Sequence, residues 1–181
     1  MKLSLKSAVF IVIGSVFFAI LDSFMGIKTI LPQLQITYAY AFLSFVAVIW
    51  GPWAGALTGL LGTVISFGIL WYLDISTVTA NCVYGCLLGL WTRGIDIKNG
   101  FFDRKEMKLF NLEQITANIV CCLMLQPIQR MLIYKQPLLL LVRGSIWMCI
   151  SRIFSTALLG TLLLAAYAKS RVNAASFMRG S

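Results

Sequence analysis

Apolar residues follow one another for about 20 positions at a time in this chain, the length that an α-helix needs to cross a bilayer. Hydrophobic residues make up 60% of the 181 positions, and charged residues only 12%. Such a composition cannot provide the polar surface of a soluble domain, and a β-barrel would show short alternating segments instead. The sequence therefore predicts an all-α integral membrane protein.

Six helical segments can be drawn between the turn signals of the sequence. They cover 5–24, 38–50, 54–73, 77–91, 112–134 and 140–168. The polar stretch 92–111 between the fourth and fifth is expected to be a solvated loop, with a short interfacial helix as the alternative. We predict one transmembrane domain over residues 1–181, folded as a six-transmembrane-helix bundle. The final "MRGS" resembles the start of an expression tag and is left out of the functional argument.

The distribution of basic residues predicts both termini on the cytoplasmic side (N-in/C-in). The inner side then holds ten of them, Lys2, Lys6, Arg93, Lys98, Arg104, Lys105, Lys108, Lys169, Arg171 and Arg179. The outer side holds four, Lys28, Arg130, Lys135 and Arg143. The net charge of +9 has the same explanation, because the basic residues are scattered and do not form a nucleic-acid-binding surface.

Arg152 lies near the middle of the last apolar segment, where a charge is unfavourable. A guanidinium near the bilayer centre costs about 2.5–3.5 kcal/mol on insertion scales. It offers five N–H donors and no acceptor, so it requires carboxylates, carbonyls or an acceptor-rich ligand. Asp22 is the carboxylate that we expect within reach. Either Asp22 neutralises Arg152, or Arg152 lines a wet cavity and binds a ligand.

Polar side chains recur at helical spacing in the last three predicted helices, so each set shares one helix face. These polar stripes consist of Asn81 and Tyr84; of Asn118, Cys122, Gln126 and Gln129; and of Ser145, Cys149, Arg152 and Thr156. The stripes hydrogen-bond one another and fix the bundle, or they bind a small polar molecule.

Enzyme chemistry finds no support in the sequence, which has no histidine and no hydrolase or phosphate-loop motif. The five cysteines lie in apolar runs and, without histidine, do not predict a metal site. These observations favour a membrane-embedded binding protein. A non-transporting scaffold or assembly subunit and a stand-alone secondary transporter are the alternatives. Ion coupling usually leaves intramembrane carboxylates, and only Asp22 qualifies.

Small residues four positions apart lie in the first and third predicted helices. They are Ser15 and Ala19, and Gly55 and Gly59. Small side chains at this spacing let two helices approach closely. The pattern predicts packing within the bundle or docking on a separate membrane protein.

Several parts of the chain together resemble the substrate-binding S components of energy-coupling factor (ECF) transporters. They are the Ser15/Ala19 pair, "YAFLSFVAVIWGPWAGALTGLLGTVISF" (40–67), "ITANIVCCLMLQPIQRMLIY" (115–134) and "LLGTLLLAAYAKSR" (158–171). The riboflavin-type and hydroxymethylpyrimidine-type S components look most similar. The resemblance implies a multi-pass subunit of a bacterial plasma membrane, in an importer of water-soluble vitamins.

The resemblance also implies the partners, a transmembrane T component and two ATP-binding-cassette ATPases. ATP and magnesium would be bound by those ATPases, and this chain would hold no cofactor. Ser15 and Ala19 match the positions that dock on the T component, and Gly55 and Gly59 belong to a helix on the same side.

The ligand site implied by the resemblance lies near the outer side, among helices four to six and under the loop 26–38. It coincides with the polar stripes. We expect Arg152 to bind an anionic or acceptor group there, and a compact site with one cation favours a hydroxymethylpyrimidine-like or pyridoxine-like ligand. The remaining candidates are Asn81, Asn118 and Gln126 for hydroxyl, amino or carbonyl groups, Tyr84 and Trp147 for ring stacking, and Gln35 from the loop.

Overall fold

In the computed structural model the chain is a helical bundle with one short β-ribbon. The structure describes residues 5–28, 35–71, 73–95, 97, 100 and 102–179. The described part of the chain forms six main helices. They are α1 (Leu5–Phe24), α2 (Ala39–Trp50), α3 (Pro52–Leu70), α4 (Ile75–Trp91), α5 (Arg104–Tyr134) and α6 (138–179). The predicted helical class is confirmed.

Among the described residues, four helices are long and apolar enough to cross a membrane. They are Pro52–Leu70, Ile75–Gly94, Arg104–Tyr134 and Leu141–Val172. Two further apolar helical stretches, Ala8–Phe24 and Ala39–Trp50, are shorter. The count of six spans and the N-in/C-in orientation remain predictions.

Helix α5 begins at Arg104, earlier than the predicted start at position 112. A capping box explains this start, because the Asp103 side chain accepts from the third helical backbone N–H while Glu106 Oε2 accepts from the Asp103 N–H at 3.1 Å. The box satisfies two backbone donors that a helix start leaves unpaired. The stretch expected to be a solvated loop therefore contains the first two turns of α5.

Both long helices contain a π-helical turn beside the polar stripes. The turns span Val120–Leu125 in α5 and Thr156–Gly160 in α6. A π turn is wider than an α turn and changes which side chains face a neighbour, and such turns are frequent at functional sites. Gln126 directly follows the first turn, and Arg152 lies one helical turn before the second.

An antiparallel ribbon forms part of the connection between α1 and α2. Strand β1 (Gly26–Lys28) pairs with β2 (Gln35–Thr37), with Ile27 opposite Ile36. Sequence analysis expected this segment to be a loop. The ribbon places β2 beside the first half of α6, the helix that carries Arg152.

Glycines let α3 and α4 pack with their backbones in contact. A Cβ atom added at Gly55 would overlap the carbonyl of Gly85, and one added at Gly59 would overlap the carbonyl oxygen of Asn81. On α1, Ser15 and Ala19 are also buried, at 1% and 0% exposure. These contacts assign the four predicted docking residues to packing within the chain, and their docking on a T component stays a prediction.

Candidate functional site

Arg152 lies in the interior of the bundle, where only 4% of its surface is exposed. Its Nη1 donates to Asn81 Oδ1 at 3.4 Å and to Cys122 Sγ at 3.3 Å. The guanidinium carbon lies 3.9 Å from the centroid of the Tyr40 ring, in a cation–π contact. Helices α2, α4 and α5 therefore all meet α6 at this charge. An amide oxygen at long range and a thiol sulfur are weak acceptors for a guanidinium.

Asp22 forms no direct ion pair with Arg152, although the two charges interact electrostatically at longer range. Within the described residues, the ion pair with an N···O distance below 4.0 Å is that of Arg130 and Asp74. Asp22 Oδ2 instead accepts a hydrogen bond from Ser66 Oγ at 2.8 Å. A direct ion pair with Asp22 therefore does not account for the buried charge.

Unpaired polar atoms cluster on the faces of α5 and α6 that carry the stripes. The buried atoms without a hydrogen-bond partner include Arg152 Nε, Gln126 Oε1, Asn118 Oδ1 and Ser145 Oγ. Buried polar atoms are paired in the great majority of folded proteins, so each unpaired atom requires an explanation. They comprise a charged donor, a hydroxyl and two amide oxygens that have no protein partner.

Sequence analysis missed the ion pair between Asp74 and Arg130, at the opposite end of α4 from Trp91. Arg130 Nη2 lies 2.6 Å from Asp74 Oδ2, and Asp74 caps α4 by accepting from the Ser76 N–H at 3.0 Å. Burial alone would raise the pKa of Asp74, but hydrogen bonds from Ser76, Arg130 and Thr77 outweigh it and hold the pKa below its usual value. The pair is therefore formed at neutral pH and holds α4 against α5.

Thr77 connects this ion pair to the stripe on α5. Its hydroxyl donates to Asp74 Oδ2 at 2.9 Å and accepts from Gln126 Nε2 at 2.6 Å. This bond uses one of the two N–H donors of Gln126 Nε2 and fixes the amide, while Oε1 has no hydrogen-bond partner. The ion pair thus orients a candidate ligand-binding side chain.

A family model described as "ECF-type riboflavin transporter, S component" matches residues 2–169. The chain belongs to the ECF-type S components. This family is one of membrane-bound, substrate-binding transporter subunits rather than enzymes. The helical class, the buried polar stripes and the lack of an enzyme motif agree with that membership.

Relatives of this S component cover nearly its whole length. The UPF0397 proteins of Staphylococcus aureus strains JH9 and Mu3 are each 36% identical to it over 181 residues, 98% of this chain and 97% of theirs. The structure entitled "Crystal structure of FolT bound with folic acid" superposes with a TM-score of 0.63 at 14% identity, covering 89% of this chain and 98% of that one. At this identity the likeness shows the fold.

The other predicted site residues of this S component take different positions. Tyr84 is 1% exposed, and its hydroxyl contacts Ser44 Oγ at 2.8 Å and Asn118 Nδ2 at 3.4 Å, so it joins α2, α4 and α5. Trp147 is 38% exposed and lies on the outer surface of the bundle. Gln35 lies in β2, and its side chain is outside the described residues. Stacking by Tyr84 and Trp147 stays a prediction.

Tyr40 is a contact of Arg152 that sequence analysis missed. It stands at the start of α2, directly after the ribbon, and only 6% of it is exposed. An aromatic residue at a helix end is typical of a membrane interface. The position of Tyr40 at a helix end does not predict that its ring lies against the Arg152 guanidinium.

Proposed function

We propose that this S component captures a small water-soluble vitamin, or a vitamin precursor, whose anionic or acceptor group binds Arg152. The observation that carries the proposal is the buried guanidinium, which has an unpaired Nε and no ion pair with Asp22. Its neighbours are an amide oxygen, a thiol sulfur and an aromatic ring, none of which brings a counter-charge, so a ligand with an anionic or acceptor group would stabilise the buried guanidinium. Planar guanidinium groups bind carboxylate, phosphate and phenolate oxygens well.

A hydroxymethylpyrimidine-like or pyridoxine-like ring fits the groups around Arg152. A ring nitrogen or a phenolate oxygen would accept from the guanidinium. Amino or hydroxyl groups of the same ligand would donate to Gln126 Oε1 and Asn118 Oδ1, which lack donors. Cobalt and nickel would require histidine ligands, and the chain has none.

Delivery of the ligand would require partners, because the sequence carries no ATPase motif of its own. In this proposal the S component takes its ligand from outside, docks on a transmembrane T component and releases the ligand inside. Two ATP-binding-cassette ATPases, holding ATP and magnesium, would drive that cycle. Helix α1 offers an apolar face for docking, since Val12, Ile13 and Phe17 are 58%, 60% and 48% exposed.

A panel of vitamins tests the ligand class by thermal stabilisation of the purified protein. We expect hydroxymethylpyrimidine or a pyridoxine form to raise the melting temperature by roughly 5–10 °C at about 100 times its dissociation constant. Phe154→Leu is the matched control, because Phe154 lies on the same helix as Arg152, is 59% exposed and belongs to none of the polar stripes, so we expect unchanged stabilisation. Stabilisation by riboflavin or folate alone would overturn the proposed ligand class, and stabilisation by none would favour the scaffold.

A further inference from the structure

A cavity opens at the far end of the bundle from the Asp74–Arg130 ion pair. Its volume is about 590 Å³, and it lies where α2 turns into α3 and where α4 ends. The cavity is lined by α2–α3 turn residues, among them Trp50 and Trp53, and by Arg93, Ile95 and Ile97 just after α4. None of these residues belongs to the polar stripes.

The lining of this cavity is apolar at its base and cationic at its rim. Ile49, Ile95 and Ile97 are 4%, 8% and 1% exposed and form the base. At the rim, Trp50 and Trp53 are 37% and 61% exposed. Tryptophan is enriched where a membrane protein meets the headgroup layer, so the pair indicates that the cavity opens at that level.

Arg93 provides the charge of the rim. Its side chain is exposed, and the ion pair found among the described residues does not involve it. A basic pocket at the headgroup level is the arrangement that recognises anionic lipid headgroups. A soluble anion would make no use of the isoleucine base, and a zwitterionic lipid would bring its own cation close to the arginine.

We propose that this cavity binds one anionic phospholipid. Arg93 contacts the phosphate, Trp50 and Trp53 flank the glycerol region, and the isoleucine base contacts the first acyl carbons. The site is independent of the vitamin site and of the predicted orientation, because it requires only that this end of the bundle lies at a membrane surface. Its failure would leave the proposed function untouched.

Native mass spectrometry of the purified protein with phosphatidylglycerol or phosphatidylcholine tests this site. We expect retention of one phosphatidylglycerol molecule and weaker retention of phosphatidylcholine. Arg93→Gln is expected to weaken phosphatidylglycerol binding about fivefold, the effect typical of one arginine at a membrane surface. Lys169→Gln is the matched control, since Lys169 is exposed and lies outside the cavity lining.

Three results would overturn the lipid site. An equal loss of phosphatidylglycerol binding in Lys169→Gln and Arg93→Gln would show that the lipid is attracted to basic residues in general. Equal retention of the two lipids by the wild type would show that Arg93 does not distinguish phosphatidylglycerol from phosphatidylcholine. Competition by glycerol 3-phosphate at the same concentration as the lipid would assign the cavity to a soluble anion. Unchanged melting of Arg93→Gln in phosphatidylcholine confirms that this variant is folded.

Discussion

Arg152→Met is expected to weaken vitamin binding strongly and to leave the empty protein at least as stable as the wild type. Removing one partner of a buried, hydrogen-bonded charge contact costs about 2–5 kcal/mol, so affinity should fall on the order of 10²–10³-fold. The empty protein loses a buried charge without a carboxylate partner, and exchanging buried ionic groups for apolar ones of similar volume is often neutral or stabilising. Affinity and stability therefore change in opposite directions.

Arg130→Met is the matched contrast for this experiment. Arg130 is paired with Asp74 at 2.6 Å, so its removal leaves a largely buried carboxylate without its cation. We expect that variant to melt below the wild type, whereas Arg152→Met does not. Titration calorimetry and thermal melts of the three proteins measure both quantities. A destabilised Arg152→Met protein that still binds vitamin with full affinity would show that Arg152 has a structural role.

Gly59→Ala is expected to cause a large loss of stability although it adds only a single methyl group. The added Cβ would overlap the carbonyl oxygen of Asn81 and the backbone beside it, which cannot move as a flexible side chain does. Overpacking of this kind costs about 1–3 kcal/mol or more, which corresponds to a fall of roughly 5–10 °C in melting temperature. The backbone movement that relieves this overlap would also displace Asn81, which contacts Arg152.

Gly68→Ala is the control on the same helix. Nothing lies within 4 Å of a Cβ added there, so the methyl group enters open space. Replacing a helical glycine by alanine at a permissive position is neutral or stabilising by about 0.4–1 kcal/mol. Thermal melts of both variants test the prediction. Equal melting temperatures would show that α3 and α4 are not packed through Gly59.

The helices were largely predictable because an apolar run has to match the thickness of the membrane. The predicted segment 5–24 coincides with α1, and 77–91 lies within α4. The start of α5 was missed although its signal is local, since Asp103 and Glu106 form an Asp-x-x-Glu capping box in the printed sequence. The first turn of α5 is charged and has low hydropathy, so the apolar segment predicted from hydropathy begins only at position 112.

The site was predictable to the extent that it follows helical periodicity. Spacing placed Asn118, Cys122 and Gln126 on one face of α5, and all three are buried. The contact of Tyr40 with Arg152 and the pairing of Asp74 with Arg130 depend on how separate helices meet, which no local pattern encodes. An aspartate directly before an apolar segment is nevertheless a typical N-cap, and Asp74 could have been recognised as one.

Mass spectrometry of the small molecules extracted from the purified protein tests the central claim most directly, with Arg152→Met prepared in parallel. The account predicts a vitamin-like compound with a planar ring in the wild-type extract and its absence from the variant. The identity of that compound would also name the ligand. The same compound at equal amounts in both extracts would contradict a ligand role for Arg152, and two empty extracts from folded protein would favour the scaffold.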